Sequence, residues 1–395
     1  MENKLKYIPL DLPEPGSTVV VGMSGGVDST LTALLLKEKG CSVIGVTMSL
    51  WDGHIPEVDA EKKFHDACYS PHEKEDIEEC KKFCKEKNIE YHVIDVSKEY
   101  NEQVLEYFKN EYRAGRTPNP CIRCNSFIKF GALLEGIKKL NISYDYFCTG
   151  HYAKVVRPEE GIWNTKVQPA MISCASDSSK DQTYFLYRLP SDLLEKVRFP
   201  LASLQKSKVF ELAKKANLYA AEKKESQDFI ESKYLNELFA DKPSIPGNFV
   251  DMNGKILGEH RGIEFYTIGQ RKGLGISGTK PLYVYKINAK DNTITLAEKE
   301  FLSSKNLIAD DFVWPGNIEP DEEFEAEVKI RLRSGSGIAI IKKYIPPADD
   351  KTEYKGQPWE INFYQEQNAI TPGQSAVIYK DNVIIGGGII GKSIC

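Results

Sequence analysis

The chain has 395 residues, of which 41% are hydrophobic and 28% are charged, and its formal net charge is −5. This length exceeds what one hydrophobic core supports, so we expect two or three globular domains. No run approaches about 18 consecutive apolar residues, and the N-terminus has no secretory apolar stretch, which predicts a cytoplasmic protein without membrane segments. Because the overall charge is acidic, any RNA site must be a local basic patch.

A glycine-rich loop between a predicted strand and a predicted helix is the first chemical feature along the chain. The strand covers residues 18–21 and the helix covers residues 31–37. The loop consists of Gly22, Met23, Ser24, Gly25, Gly26, Val27, Asp28 and Ser29. Free backbone N–H groups and the positive end of a helix together form a phosphate cradle. The loop lacks the lysine of a Walker A motif, which disfavours a kinase or GTPase.

Strands and helices alternate along the first half of the chain. Strands are predicted at 42–48, 91–96 and 144–149, and helices at 73–87, 99–114 and 127–139. This alternation predicts a doubly wound parallel sheet, which we assign to residues 1–222. Ligands of such sheets bind at the carboxyl ends of the strands, where the glycine-rich loop, Met48 and Gly150 lie.

The second half of the chain differs from the first in composition and in predicted secondary structure. Residues 223–291 are dense in glycine and proline, which predicts a small connecting domain of short strands and turns. From residue 292 onward, short strands are predicted at 293–296, 323–332, 337–342, 360–364, 375–379 and 382–390. Their spacing indicates a closed antiparallel β-barrel at residues 292–395.

Cysteines carry the second chemical feature. Nine cysteines without a secretory signal indicate reduced thiols rather than a disulfide framework. Cys121 and Cys124 form a C-x-x-C pair after a proline-stiffened segment, and on its own this pair fits a redox pair, half of a metal site or two buried thiols. Because Cys124 precedes a helix predicted at 125–140 and lies near Arg116 and Arg123, we expect its pKa to be lowered.

Several stretches together resemble one family, the tRNA-specific 2-thiouridylases among the PP-loop ATP pyrophosphatases. They are residues 22–29, 45–48, 114–120, 149–152, 180–186, 266–275 and 371–376. The resemblance implies an enzyme that uses ATP to adenylate O2 of the wobble uridine of tRNA, after which sulfur displaces AMP. It implies Mg²⁺ with the ATP and a sulfur donor, either a cysteine desulfurase relay or sulfide. We expect a monomer.

The resemblance also implies roles for individual positions. Residues 22–29, Met48 and Gly150 match ATP-binding positions, and Asp28 would hold Mg²⁺. Positions that match tRNA contacts are Asn119, Pro120, Cys121, Lys180, Asp181, Gln182, Arg331 and Leu332. Phosphate contacts are expected from basic residues at 271–272 and 329–333 and from Lys342 and Lys343, so that tRNA binding should be salt-sensitive.

Two positions depart from the pattern of that family. Ile230 stands where the family carries a second catalytic cysteine, and Cys121 stands where many members carry aspartate. We therefore expect the sulfur chemistry to have moved to Cys121 and Cys124, by one of two routes. Either Cys124 carries a persulfide that Cys121 resolves as a disulfide, or both thiols bind an iron–sulfur cluster with Cys68 as a third ligand.

Two other functions compete with thiolation. One is another PP-loop adenylating ligase, against which the predicted barrel and residues 119–121 speak. The other is a relative that binds ATP and tRNA without thiolase activity, and the absence of a thiol at Ile230 keeps this alternative open.

Overall fold

The computed structural model describes residues 6–53, 67–222, 229–230, 234–276, 280–332 and 334–394. Its contacts divide the chain into two compact units. The first unit comprises residues 1–104, 121–236 and 381–384, and the second comprises residues 105–120, 237–380 and 385–395. Within the described residues, no helix is both long enough and apolar enough to cross a membrane.

The elements up to residue 222 alternate much as the sequence predicts. The strands are β1 (Tyr7–Pro9), β2 (Thr18–Gly22), β3 (Ser42–Ser49), β4 (Glu90–Asp95), β5 (Tyr146–Cys148), β6 (Ala153–Pro158), β7 (Met171–Cys174) and β8 (Val197–Arg198). The α-helices are α1 (Val27–Glu38), α2 (Glu73–Glu86), α3 (Ser97–Tyr100), α4 (Glu106–Arg113), α5 (Pro120–Arg123), α6 (Leu133–Lys139), α7 (Ser191–Leu194) and α8 (Lys206–Lys215). π-Helical segments at Asn101–Leu105 and Cys124–Ala132 join α3 to α4 and α5 to α6, and 3₁₀ turns lie at Thr183–Phe185 and Tyr219–Glu222.

The remainder of the chain is mostly strand. It contains α9 (Leu235–Leu238), followed by β9 (Gly247–Val250), β10 (Ile256–His260), β11 (Tyr283–Asn288), β12 (Thr293–Ala297), β13 (Ser303–Val313), β14 (Phe324–Lys329), β15 (Gly337–Lys343), β16 (Trp359–Asn368), β17 (Ser375–Lys380) and β18 (Val383–Ile394). 3₁₀ turns lie at Ile263–Phe265, Lys299–Leu302 and Pro315–Asn317.

A five-stranded sheet in the order β4-β3-β2-β5-β8 forms the centre of the first unit, and every pairing in it is parallel. Val19, Val20 and Val21 of β2 are fully buried, as expected for a strand covered on both faces. Helices α1, α2 and α8 pack on one face. On the other face, α6 approaches so closely that a Cβ at Gly136 would lie 2.4 Å from Cγ2 of Ile94 in β4. The predicted doubly wound parallel sheet is confirmed.

A small antiparallel sheet accompanies the parallel sheet within the first unit. β1 pairs with β6, and β6 pairs with β7. Ser173 of β7 pairs in turn with Val383, the first residue of β18. A late segment of the chain therefore pairs with strands built from early segments.

A four-stranded sheet in the order β10-β9-β12-β11 lies in the second unit. It corrects one sequence prediction, because the strand expected at 293–296 as part of the barrel is β12 of this sheet. The reason is local: a short turn joins Asn288 to Thr293, so that β11 and β12 pair as a hairpin. Phe249, Val284 and Ile294 are fully buried in its core.

The last six strands close a barrel in the order β18-β13-β16-β15-β14-β17, with β17 paired back to β18. Trp359, Ile361 and Phe363 alternate along β16 and are buried, which is the period of two expected when one strand face covers a core. The predicted closed antiparallel barrel is confirmed.

Candidate active site

The glycine-rich loop joins β2 to α1 at the carboxyl edge of the parallel sheet. Gly25 has a φ of +74°, a conformation that favours glycine, and Gly26 precedes α1 in an extended conformation. Among the described residues, no side chain caps the first turn of α1. Its leading N–H groups therefore remain available to an anion, which the positive helix end also attracts.

Gly150 follows β5 and packs directly against this loop. A Cβ atom at position 150 would lie 2.7 Å from the carbonyl carbon of Asp28 and 2.9 Å from the backbone nitrogen of Ser29. Because these neighbours are backbone atoms of α1, they cannot swing aside as a side chain would. Only glycine allows the end of β5 to approach the loop this closely.

A cavity opens beside the loop. Its lining residues are Gly22, Met23, Ser24, Asp28, Ser29, Val46, Met48, Lys129, Leu133, Thr149, Gly150, His151 and Gln182. The structure thus brings Met48, Gly150 and most of the glycine-rich loop together around one space, while Gly25, Gly26 and Val27 do not line it. Loop backbone at one end and the apolar Met48 and Val46 side chains elsewhere suit a ligand with a phosphate tail and an aromatic base.

Asp28 is the anchor of a polar network that the sequence does not reveal. Its carboxylate accepts hydrogen bonds from Lys206 Nζ at 2.8 Å (Oδ1) and 2.7 Å (Oδ2), and from the Tyr152 hydroxyl at 2.9 Å (Oδ1). The Lys206 side chain is only 9% exposed, and its ammonium lies 5.4 Å and 5.0 Å from the ring centres of Tyr152 and Phe210. No local sequence signal joins Asp28 to a lysine 178 positions away.

Lys129 lines the cavity, although sequence reasoning does not single it out. It belongs to the π-helical segment Cys124–Ala132, in which Leu133 N–H donates to the carbonyl oxygen of Ile128, five residues earlier. Residues five apart share a face in such a segment, so Lys129 lies on the side that carries Cys124. Within the part of the chain that the structure describes, no hydrogen bond or ion pair engages Lys129 Nζ.

His151 is a buried member of the cavity wall. Thr149 Oγ1 lies 2.7 Å from its Nδ1. Burial, assisted by the positive charge of Lys129, holds the pKa of His151 well below its usual value. His151 is therefore neutral at physiological pH.

The structure corrects the expectation for Cys124. The helix begins at Pro120, since proline is well tolerated at a first helical position, and Cys124 lies inside the helix rather than at its N-terminus. Burial raises the pKa of Cys124 to about 11, although Lys129 opposes this rise. The thiol is thus protonated at physiological pH, because burial outweighs the nearby positive charge.

The two arginines expected near Cys124 are engaged elsewhere. Arg123 donates to the backbone carbonyl of Gln103 at 3.1 Å, and its guanidinium lies 4.3 Å from the ring centre of Phe127. Arg116 forms a bidentate ion pair with Glu111, with N···O distances of 2.6 Å and 2.5 Å.

Three thiols, those of Cys68, Cys121 and Cys124, act electrostatically on the buried hydroxyl of Tyr100. The pKa of Tyr100 is raised well above its usual value, mainly by burial and further by these three thiols. Cys68 is exposed, whereas Cys121 and Cys124 are partly buried. In the described ranges, no group of three or more His, Cys, Asp or Glu residues is arranged to hold a metal ion.

The segment in which the family pattern places a second cysteine lies only partly in the described ranges. Residues 224–228 and 231 fall outside them, as does Arg333. Ile230 is buried, and the backbone carbonyl of its neighbour Phe229 accepts a hydrogen bond from Tyr69 N–H at 2.9 Å. Cys68 therefore directly precedes the residue, Tyr69, whose backbone is hydrogen-bonded to the segment that contains Ile230.

Lys180, Asp181 and Gln182 lie on a turn of the first unit. The Asp181 carboxylate accepts hydrogen bonds from the backbone N–H groups of Ala175 and Thr183 and from the Thr183 hydroxyl, so its structural role is to hold this turn. Gln182 exchanges two hydrogen bonds with the backbone of Tyr152, at 2.9 Å and 3.0 Å, and also lines the cavity.

In the second unit, the segment that leads to Asn119 is tied to the barrel. Thr117 N–H donates to the Pro372 carbonyl at 2.8 Å, and the Gln374 side-chain amide donates to the Thr117 carbonyl at 2.8 Å. Arg331 donates to the carbonyls of Asn368 and Ala369, just before that same loop. The structure therefore joins two of the family-like stretches, 114–120 and 371–376, and Arg331 bonds to the backbone just before the second of them.

The basic residues of the barrel are mostly paired. Lys342 Nζ lies 3.3 Å from Glu360 Oε2, and Lys343 Nζ lies 3.3 Å from Glu319 Oε1. The ammonium group of Lys329 lies over the ring of Tyr379. Leu332 is 36% exposed. Arg271 and Lys272, in the smaller sheet region, are exposed.

Comparisons with known proteins agree with this architecture. Family models match as a tRNA methyl transferase HUP domain at residues 17–231, a tRNA methyl transferase PRC-barrel domain at 232–298 and an aminomethyltransferase β-barrel domain at 304–390. The tRNA-specific 2-thiouridylase MnmA of Endomicrobium trichonymphae is 44% identical over 94% of this chain and 98% of its own length.

A second relative, the tRNA-specific 2-thiouridylase MnmA of Carboxydothermus hydrogenoformans, is 39% identical over 95% of this chain and 98% of its own length. A solved 4-thiouridine synthetase–RNA complex with bound ATP aligns at a TM-score of 0.29 and 13% identity, over 56% of this chain and 49% of that one. On the strength of the near full-length relatives, the chain belongs to the family of tRNA-specific 2-thiouridylases.

Proposed function

We propose that the protein catalyses the ATP-dependent 2-thiolation of the wobble uridine of tRNA. One observation carries this proposal: the cavity lined by the glycine-rich loop, Met48 and Gly150 is also lined by Lys129, whose charge acts on Cys124 in the same helical segment. A nucleotide site and a thiol are the two parts that adenylation followed by sulfur transfer requires. The near full-length relatives support the same reaction.

The first step activates the base. Uridine O2 attacks the α-phosphorus of ATP, the bond to the β-phosphate breaks, and pyrophosphate leaves with that electron pair. The uncapped start of α1 would hold the departing pyrophosphate through its N–H groups. Lys129 lies where it would balance phosphoryl charge, in a partly buried cavity where such an interaction is stronger than in water.

Asp28 fits the proposed role of a Mg²⁺ ligand. A carboxylate offers about four acceptor sites, and the described partners, Lys206 and Tyr152, use three of them. One site on Oδ2 is left for a cation, and Mg²⁺ prefers one or two carboxylates together with substrate phosphates. When bound, the ion would supply charge neutralisation for the triphosphate.

The second step transfers sulfur, and we propose Cys124 as the carrier and Cys121 as the resolving thiol. The terminal sulfur of a Cys124 persulfide attacks C2 of the adenylated uridine, and AMP leaves with the C–O electron pair. The Cys121 thiolate then attacks Sγ of Cys124, and the thiouridine sulfur leaves with the S–S electron pair. The two thiols end as a disulfide, which an external thiol reductant must reduce before the next turnover.

The alternative route uses an iron–sulfur cluster on Cys121, Cys124 and Cys68. The donors are of the right type, because thiolates are the usual ligands of such clusters. Their arrangement does not fit, since the described part of the chain contains no convergent group of three such ligands. We therefore favour the persulfide route, and iron analysis of the active protein decides between the two routes.

We propose that tRNA is contacted by Asn119, Pro120 and Arg331 of the second unit and by Lys180 and Gln182 of the first. Arg271 and Lys272 are exposed and suited to phosphate contacts. We also propose that residues 1–222 carry the chemistry, 223–291 connect, and 292–395 bind tRNA. Affinity for tRNA should fall steeply with salt, and a flat dependence would refute these contacts.

The function is tested with full-length protein purified without oxygen, an unmodified tRNA transcript, ATP, Mg²⁺ and a sulfur source. We expect tRNA-dependent release of pyrophosphate and the appearance of 2-thiouridine in nuclease digests analysed by mass spectrometry. A binding-only relative would release no pyrophosphate, and another ligase would release it without tRNA.

The Cys121→Ala variant tests the relocation of the sulfur chemistry. We expect it to abolish thiolation while a matched Cys174→Ala variant, which removes a thiol from β7, keeps it. Normal thiolation by Cys121→Ala would refute the relocation. Iron and labile sulfide in active protein would favour the cluster route, and activity without them would leave the persulfide route.

A further inference from the structure

Cys68 differs from the other two thiols of its group in accessibility. Its side chain is exposed, whereas Cys121 and Cys124 are partly buried. A persulfide carried by another protein can react only with a thiol that reaches the surface. The group therefore contains one thiol suited to meet a donor protein and two suited to react inside a protected site.

The neighbour of Cys68 fixes its position relative to the helix that carries Cys124. The ring of Tyr69 stacks on that of Tyr100, with centroids 5.3 Å apart, and its hydroxyl donates to Asp52 at 3.0 Å. Tyr100 ends α3, which packs against the π-helical segment that begins at Cys124. Two stacked rings therefore link the Cys68 segment to the helix of the sulfur chemistry.

A second ring contact, one backbone hydrogen bond and one side-chain hydrogen bond hold the same segment. The rings of Trp51 and Tyr69 lie 4.7 Å apart, and Tyr69 N–H donates to Phe229. Asp52, which receives the Tyr69 hydroxyl, also accepts a hydrogen bond from the Asn101 side chain at 3.0 Å. Cys68 is thus exposed but mounted on a well-packed base. The electrostatic effect of Cys68 on Cys124 agrees with this proximity.

We propose that Cys68 is the loading thiol of the sulfur-transfer reaction, which accepts a sulfane sulfur from a persulfide-bearing donor protein and passes it to Cys124. This inference rests on the proposed function and adds a residue and a class of partner to it. The partner is a protein that presents a cysteine persulfide, since a small donor would not need an exposed intermediate.

The sulfur moves in two exchange steps, first from the donor to Cys68 and then to Cys124, and neither step needs an oxidant or a reductant. The Cys68 thiolate attacks the terminal sulfur of the donor persulfide, the donor S–S bond breaks, and the donor cysteine leaves as a thiolate. The Cys124 thiol then attacks the terminal sulfur of the Cys68 persulfide and gives up its proton. The Cys68 S–S bond breaks, the departing Cys68 sulfur takes up that proton, and Cys124 holds the persulfide.

The test compares two sulfur sources with full-length protein and tRNA. A cysteine desulfurase with L-cysteine supplies a protein-bound persulfide, whereas sodium sulfide attacks the adenylated uridine directly and needs no loading thiol. With the desulfurase, we expect Cys68→Ser to lower the thiolation rate about 100-fold, because the donor sulfur loses its positioned acceptor. With sulfide, Cys68→Ser should match the unmodified protein. Cys174→Ser should match it with both sources.

Mass spectrometry gives a readout that does not depend on activity. In Cys124→Ser protein exposed to the desulfurase, we expect the mass of one extra sulfur atom on the peptide that contains Cys68. In Cys68→Ser protein, the peptide that contains Cys124 should gain none.

Three results would overturn the loading role. They are desulfurase-driven thiolation by Cys68→Ser at the unmodified rate, loading of Cys124 in that variant, and equal loss of activity with both sulfur sources. If the unmodified protein makes no 2-thiouridine even from sulfide, the proposed function fails, and the loading role fails with it. Sulfide-driven thiolation by the unmodified protein therefore separates the two failures.

Discussion

Lys206 Nζ lies 2.8 Å from Oδ1 and 2.7 Å from Oδ2 of Asp28, so the aspartate of the glycine-rich loop is paired with a largely buried cation. Lys206 is the first residue of α8, and its backbone N–H donates to Asp177 at 2.8 Å. The pair thus joins the nucleotide loop to a distant helix. It also keeps a carboxylate from opposing the negative charge of a nucleotide in the same cavity.

Lys206→Gln should lower kcat/KM for ATP about 10- to 100-fold, because the loss of hydrogen bonds between charged groups leaves the Asp28 carboxylate without a neutralising cation near the phosphates. The effects of Lys206→Gln and Asp28→Asn should not add, with a coupling energy of about 1–3 kcal/mol in a double-mutant cycle. Pyrophosphate release measures both. Lys208→Gln, an exposed change on the same helix, is the control, and additive effects would show that the pair does not act as a unit.

Lys129→Gln should lower the rate of pyrophosphate release about 100-fold, since the variant loses a positioned cation at the reacting phosphate. Lys138→Gln removes an exposed lysine from α6, the continuation of the same helix, and should leave the rate unchanged. ATP binding measured by calorimetry will show whether the loss lies in binding or in the chemical step. Equal rates for the two variants would remove Lys129 from the catalytic group.

Gly150→Ala should destabilise the first unit by about 1–3 kcal/mol, because its Cβ would overlap backbone atoms at the start of α1. Gly26→Ala is the matched change in the facing loop, where the nearest atom to the new Cβ is Ser24 Oγ at 3.7 Å. Thermal unfolding without ligand should show a lower midpoint for Gly150→Ala alone. Similar midpoints for both variants would mean that the loop can retreat from β5.

Alkylation of Cys124 should report its raised pKa. Only the thiolate reacts, so with a pKa of about 11 the rate should rise about tenfold per pH unit from pH 7 to pH 10 without levelling. Iodoacetamide labelling of the Cys124 peptide, followed by mass spectrometry, measures this rate. Cys84, which is fully buried with a pKa raised by burial to about 12, should stay unlabelled in folded protein. A plateau below pH 9 would restore the original expectation of an activated thiol.

Regular elements and the nucleotide loop are predictable from the sequence because their signals are local. The valines of β2, the glycines that follow and the alternation along β16 each reflect a period or a turn within a few residues. β13 is not predicted, because it lacks such a regular local signal. Its pairing with β18 shifts register twice, and Asp311 has a φ of +50°. Bulges of this kind break the period of two on which strand prediction rests.

The parts of the site that sequence reasoning misses depend on three-dimensional neighbours. In the sequence, Lys206 looks like any lysine of a helix, and only the fold places it beside Asp28. The pKa of Cys124 was expected to fall from its positive neighbours in sequence, yet Arg116 and Arg123 turn to Glu111 and Gln103. Burial, which a sequence does not display, then decides the sign of the shift.

The π-helical segment Cys124–Ala132 affects the direction in which its side chains project around the helix axis. In an α-helix, two residues five positions apart diverge by about 140° around the axis; the π-helical turn holds Cys124 and Lys129 on one side instead. A π-helical turn contains one residue more than an α-helical turn, because its hydrogen bond joins residues five positions apart. Moving that residue along the helix would rotate the thiol by about 100° while both helix ends keep their places. The rotation of a single helix about its axis, and not only its position, thus decides whether Cys124, which we propose as the sulfur carrier, lies on the same side as Lys129.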